Sequence, residues 1–246
     1  MPLMEQGACE AVDALTRQQL AGLRLHPHRP LLICDVDEVV VRFIDALAGW
    51  LQRRNLRLHS DSWALEGNIR DAHGVPVPRA QVGALLDAFF RQCTADLPLM
   101  EGAADALAQL VREGVQVVLL TNMPHPFRRA RQRNLARHGL NFPVITNSGP
   151  KGPAVRHLRQ MVRQPAAFID DHPDFLHSAA DHCLPSAALH LLHFVPDNPF
   201  VPHLPPMQAP HVSVRNWGEA AEVLHRLLVL PALKRHAGAS ARAAAP

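Results

Sequence analysis

The stretch Leu31-Leu32-Ile33-Cys34-Asp35-Val36-Asp37-Glu38 constrains this chain more than any other. Four apolar residues stop abruptly at two aspartates spaced two apart. A short apolar run of this kind reads as a buried strand. Both carboxylates then sit at its C-terminal end or on the first turn beyond it. Open α/β sheets bind their ligands along that edge. Two carboxylates crowded there repel each other unless a cation or a shared proton offsets them. The stretch therefore asks for a metal, an acid–base pair, or both.

The rest of the sequence supplies the sheet. Apolar runs at 115–120, 144–145, 166–169 and 189–195 read as four further strands. Helical spacing of apolar residues falls at 103–113, 126–138, 152–163 and 219–230, and a helix start at 173–180. Strand and helix in alternation imply a Rossmann-like α/β fold, with a mostly parallel sheet and helices on both faces. An amphipathic helix at 5–24 precedes the first strand.

One block interrupts the rhythm. Residues 42–98 hold helices at 43–51 and 79–93, a helix cap at Ser60 or Asp61, and no convincing strand. They read as a small helical cap inserted after the first strand, placed to lie over the ligand edge. Residues 1–41 and 99–231 then form the α/β core. The segment 196–211 carries six prolines and reads as an extended loop. The alanine-rich stretch 232–246 has little to bury and is expected to fray.

Composition excludes several classes. The formal charge of +3 is spread along the chain. The densest basic patch, Arg128, Arg129, Arg131 and Arg133, reads as a solvated helix face, so no nucleic-acid partner is expected. Cys9, Cys34, Cys93 and Cys183 fit neither a zinc finger nor a CxxC pair. No apolar run reaches membrane-spanning length, and residues 1–25 lack a signal-peptide core. The expectation is a soluble cytoplasmic protein, monomeric or homodimeric, with no membrane partner.

Four strand ends carry polar residues that a parallel sheet brings to one edge. They are Asp35 with Asp37; Thr121 with Asn122; Lys151, before the helix that follows the 144–145 strand; and Asp170 with Asp171, then Asp174. Each has an ordinary structural explanation as a cap, a turn residue or a surface charge. Their joint placement is harder to explain that way, because the chain has only two lysines, Lys151 and Lys234.

The order of these elements resembles the haloacid-dehalogenase-like superfamily of hydrolases. The first motif reads LLICDVDEVV, the second VVLLTN, the third is Lys151, and the fourth reads FIDDHPD. The segment LPLMEGAADAL resembles the return from a helical cap to the core. The resemblance spans roughly residues 30–195. It implies Asp35 as nucleophile and magnesium ligand, and Asp37 as general acid–base, with its backbone carbonyl on Mg²⁺. It implies Thr121 on a phosphoryl oxygen and Lys151 as counter-charge. Asp170 becomes a second carboxylate on the metal, with Asp171 or Asp174 completing or orienting its hydration.

The activity so implied is a Mg²⁺-dependent phosphatase acting on a small phosphorylated metabolite through an aspartyl-phosphate. The chemistry is sound on its own terms: a carboxylate attacks an anion only when positive charge screens both. Asn122, Arg70 and Trp63 are the candidates for substrate contact, with His73 and Phe90 also able to face the cleft. The chain departs from the superfamily at Glu38, where glycine is usual. The extra carboxylate there is expected to raise local negative charge. Two other classes compete. One is a transition-metal hydrolase built on His172, His177 and His182, which lack the HExxH spacing. The other is a binding or regulatory protein that reuses the scaffold.

Overall fold

The computed structural model describes residues 12–183 and 189–233. In chain order the regular elements begin with helix α1 (Ala14–Ala21), strand β1 (Leu31–Cys34) and helix α2 (Phe43–Gln52). The short strands β2 (Arg57–Leu58) and β3 (Ile69–Arg70) follow, then helices α3 (Arg79–Cys93) and α4 (Ala103–Arg112). Next come β4 (Gln116–Thr121), α5 (Arg128–Arg137), β5 (Val144–Thr146), α6 (Gly152–Gln160) and β6 (Ala166–Asp170). The chain continues through α7 (Pro173–Cys183), β7 (Leu189–Phe194), β8 (Val212–Val214) and α8 (Trp217–Leu224). A π-helical turn, His225–Val229, extends α8.

Six strands form one sheet in the order β5-β4-β1-β6-β7-β8, and every neighbouring pair is parallel. The chain builds outward from β1 in one direction and then, from β6, in the other. The reversal lies between β1 and β6, where a doubly wound sheet opens its ligand crevice. The sheet's two faces bury alternate residues of the same strands. Leu32, Cys34, Val117, Leu119, Ala167 and Ile169 join one apolar cluster with α4 and α8. Leu31, Ile33, Val118, Leu120, Ala166 and Phe168 join the other, with α1, α6 and α7. Strands buried on both faces need the nearly unbroken apolar runs seen here.

Three expectations change. The block after β1 is not wholly helical: β2 and β3 pair antiparallel within it. No helix starts at Ser60 or Asp61. Instead, Asn68 holds that stretch as a turn, accepting from Asp61 N–H and donating to the Ser62 and Ala64 carbonyls. A sixth strand, β8, lies just past the proline-rich segment. The amino-terminal part of the expected 5–24 helix, and the expected frayed tail past 233, fall outside the described residues.

The inserted block is tied at its neck. Arg42 N–H donates to Pro98 O, and Met100 N–H to Val40 O, both at 2.9 Å. Trp217, buried at the start of α8, donates from Nε1 to Val39 O at 2.7 Å. The turn that follows the first aspartate is thereby fixed from the core side as well.

Lys151 depends on a glycine beside it. Gly152 opens α6 and donates its N–H to Ser178 Oγ of α7 at 3.0 Å. A Cβ at this position would collide with the Ser178 backbone oxygen. Gly83, within α3, has open space around it. Gly152→Ala is therefore expected to destabilise the protein by about 1–3 kcal/mol through overpacking. Gly83→Ala is expected to stabilise it by about 0.5–1 kcal/mol through helix propensity. Urea unfolding of the two variants checks the opposite signs.

Candidate active site

The C-terminal edge of the sheet gathers the strand-end residues. Asp35 continues the β1 ladder, its N–H donating to Ile169 O at 3.0 Å. Lys151 is buried at the entrance to α6. Its ammonium lies 2.6 Å from Asp35 Oδ1 and 2.7 Å from Asp170 Oδ2. Burial by itself would lower the lysine's pKa, but the two carboxylates outweigh it and hold the pKa above its ordinary value. Asp35 is pushed up to about 7 by burial. The ammonium opposes that rise, while Asp170 and Asp37 add to it.

Asp170 and Asp171 play different parts. Asp170 uses both oxygens, Oδ2 toward Lys151 and Oδ1 accepting from His172 N–H at 2.9 Å. Among the described residues, no hydrogen-bond or ion-pair partner reaches the Asp171 carboxylate. Burial, reinforced by Asp170 and Asp35, raises its pKa well above the usual range. Asp35, Asp170 and Asp171 each present an oxygen within 4.8 Å of the others. Three buried carboxylates against one ammonium leave excess negative charge. That donor set, all oxygen with one carboxylate unpartnered, fits a hard divalent cation such as Mg²⁺.

Asp174 does not join this group. Its side chain is 66% exposed on the first turn of α7, away from the three carboxylates. The histidines turn elsewhere too. His172 Nδ1 accepts from Asp174 N–H, His177 Nε2 accepts from Gln208 N–H, and His182 Nδ1 contacts Ser178 O. Among the described residues they build no second metal cluster.

Asp37 is held by a residue that sequence reasoning misplaced. Arg131 of α5 is fully buried, and its guanidinium pairs with Asp37 Oδ1. Expected on a solvated face, it instead reaches under the site, where an arginine needs a carboxylate. Thr121 Oγ1 donates to Asp37 Oδ2 at 3.3 Å and accepts from Met123 N–H. Asn122 is partly engaged, donating to Gly149 O and accepting from Asn147 Nδ2.

Glu38 occupies the left-handed region at φ 60°, where glycine is at ease and other residues are strained. Its buried carboxylate accepts from Ile44 N–H, at the start of α2, and from Asn198 Nδ2, both at 2.7 Å. Burial raises its pKa, and those two donors oppose the rise. The expected free negative charge is thus a bracket joining the turn, the inserted block and the proline-rich segment. That segment also delivers Phe200, which packs edge-on to Trp63 at 6.1 Å. Asn198 and Phe200 carried no local signal in the sequence beyond the prolines around them.

A cavity of about 410 Å³ opens over the site. Asp35, Asp37, Thr121, Asn122 and Lys151 line it, with Asp171 and His172. Trp63 and Phe90 also line it. Burial lowers the pKa of His172, whose ring lies against Trp63. Arg70 does not line the cavity. It pairs with Asp61 and donates to Gly67 O within its own hairpin. His73 is exposed and likewise absent from the lining.

No known family model matches the chain. No curated protein matches it in sequence. Solved structures do match its fold. A HAD family hydrolase from Deinococcus radiodurans, with bound phosphate and sodium, aligns at TM-score 0.55 and 15% identity, over 83% of this chain and 99% of that one. The HAD-hydrolase YfnB from Bacillus subtilis, bound to magnesium, aligns at 0.51 and 19% identity, over 81% and 98%. An L-2-haloacid dehalogenase from Xanthobacter autotrophicus, with chloropropionic acid covalently bound, aligns at 0.52 and 11%, over 79% and 98%. The chain thus has the same fold as these HAD hydrolases and the haloacid dehalogenase. No helix among the described residues is long and apolar enough to cross a membrane.

Glu38 offers a check on the local geometry. Glu38→Ala keeps the strained backbone and loses both hydrogen bonds. Glu38→Gly loses the same bonds but relieves the strain. Both variants are expected to be less stable than the parent, with the alanine variant lower by about 1 kcal/mol. Thermal and urea unfolding of the pair measure that order.

Proposed function

We propose that the protein is a Mg²⁺-dependent phosphatase that hydrolyses a small phosphorylated metabolite through an aspartyl-phosphate on Asp35. The observation that carries this reading is the pair of differently held carboxylates at the mouth of β1. Asp35 lies against the Lys151 ammonium, among buried carboxylates suited to a divalent cation. Asp37, two residues on, lines the same cavity between Thr121 and Arg131. A dehalogenase needs only the first carboxylate, whereas phosphoryl transfer to and from an aspartate uses both.

Asp35 attacks phosphorus, and the bond from phosphorus to the leaving oxygen breaks. Asp37 gives that oxygen its proton. A water then attacks phosphorus and returns a proton to Asp37. The bond to Asp35 breaks, inorganic phosphate leaves, and both carboxylates are restored. Lys151 offsets charge on Asp35 throughout, and Thr121 and Asn122 stand where the phosphoryl oxygens gather. Asp35, the Asp37 carbonyl and Asp171 would hold the metal, with Asp170 fixing Lys151 beside them. When bound, the metal supplies positive charge that screens the phosphoryl group from its attacker. The neighbours' phosphate, sodium and magnesium accord with this use of the fold.

Hydrolysis of phosphate esters with and without Mg²⁺ tests the assignment. Turnover is expected to require the metal, to stop on chelation, and to fall at least about a thousandfold in Asp35→Asn, in line with loss of a nucleophile. Turnover that is independent of metal, or that survives Asp35→Asn, contradicts it.

A further inference from the structure

Two chemically distinct sets of side chains line the cavity. The polar set includes Asp35, Asp37, Thr121 and Lys151. The apolar set includes Phe43, Ile44, Trp63, Leu65, Phe90 and Phe200. These six come from α2, from the turn between β2 and β3, from α3 and from the proline-rich segment. Phe43 packs against Phe90 at 5.7 Å, and Trp63 against Phe200 at 6.1 Å. The aromatic wall is continuous with the core of the inserted block, through Phe43 against Phe89 at 5.3 Å.

The cations near enough to recognise a second charge are committed elsewhere. Among the described residues lining the cavity, Lys151 is the one lysine or arginine, and Asp35 and Asp170 hold it. Arg70 is turned to Asp61, and buried Arg131 is turned to Asp37. His172 Nδ1 is engaged, accepting a hydrogen bond from Asp174 N–H. Glu38 also lines the cavity, with its oxygens on Ile44 N–H and Asn198. A carboxylate or second phosphate placed here would be buried without a counter-ion. A polyhydroxylated sugar would leave hydroxyls unpaired against aromatic rings.

We propose that the substrate is a monophosphate ester of a compact apolar alcohol, aromatic or branched aliphatic, whose organic group fills the wall of Phe43, Ile44, Trp63, Leu65, Phe90 and Phe200. The inference rests on the phosphatase reading and narrows it. The cavity volume, near the low end of the roughly 300–1,000 Å³ of small-molecule sites, limits the organic group to about one ring or a short branched chain. The phosphoryl group supplies the only charge the site accommodates.

The test compares esters of primary alcohols on the full chain with Mg²⁺. 2-Phenylethyl phosphate and 3-methylbutyl phosphate are set against glycerol 3-phosphate, phosphoglycolate and glucose 6-phosphate, with p-nitrophenyl phosphate as an activated control. The apolar esters are expected to exceed the polar ones in kcat/KM by about tenfold or more. Leu65→Arg is expected to narrow that ratio in favour of phosphoglycolate, and Trp63→Ala to raise KM for 2-phenylethyl phosphate. Polar or anionic esters turned over as well as the apolar ones overturn the substrate class and leave the phosphatase reading standing. Failure of every ester, the activated control included, overturns both.

Discussion

The site rests on one buried ammonium between two buried carboxylates. Lys151 arrives from the loop after β5, Asp35 from the end of β1 and Asp170 from the end of β6. Three segments far apart in sequence meet at this charge, and the reversal of strand order places them side by side. Such a cluster is a poor source of net stability, because each ion loses its water on burial. Removing one member is costlier, since the rest stay buried without compensation. The surrounding structure therefore serves to hold the ammonium in place. Gly152 lets α6 close on α7, and the parallel ladder sets β1 against β6 in fixed register.

A second ion pair lies one layer out. Arg131 and Asp37 join the helix after β4 to the turn after β1. Glu38 then carries the tie to α2 and to Asn198. The polar groups at this end of the sheet are thus paired in a chain that runs from core to insert. Asp171 stands outside that chain as a carboxylate with no partner among the described residues, and the proposed mechanism assigns it to the metal for that reason. The division of labour between Asp170 and Asp171 follows from which oxygens are already engaged.

Much of this was legible in the sequence where the signal is local. An unbroken apolar run that ends in aspartate or threonine reports both a strand and the sheet edge where it stops, so the positions of Asp35, Asp37, Thr121 and Asp170 could be read from pattern alone. Lys151 stood out because lysine is rare here. β2 and β3, two residues each, are too short to show an alternating pattern in the sequence. Arg131 was hidden among Arg128, Arg129 and Arg133, and its burial is decided by a carboxylate 94 residues away. Arg70 is drawn off by Asp61, a pairing that no periodicity reveals. Glu38 looked like added charge because its partners, Ile44 N–H and Asn198, become neighbours only when the chain folds.

In the proposed mechanism Asp35 becomes phosphorylated during turnover. The most direct measurement is acid quenching of the protein in the presence of Mg²⁺ and a substrate ester, followed by peptide mapping by mass spectrometry. One phosphoryl group is expected on Asp35, lost on chase and missing from Asp35→Asn. Turnover with no phosphoryl group on the chain, or with one on another residue, would contradict it.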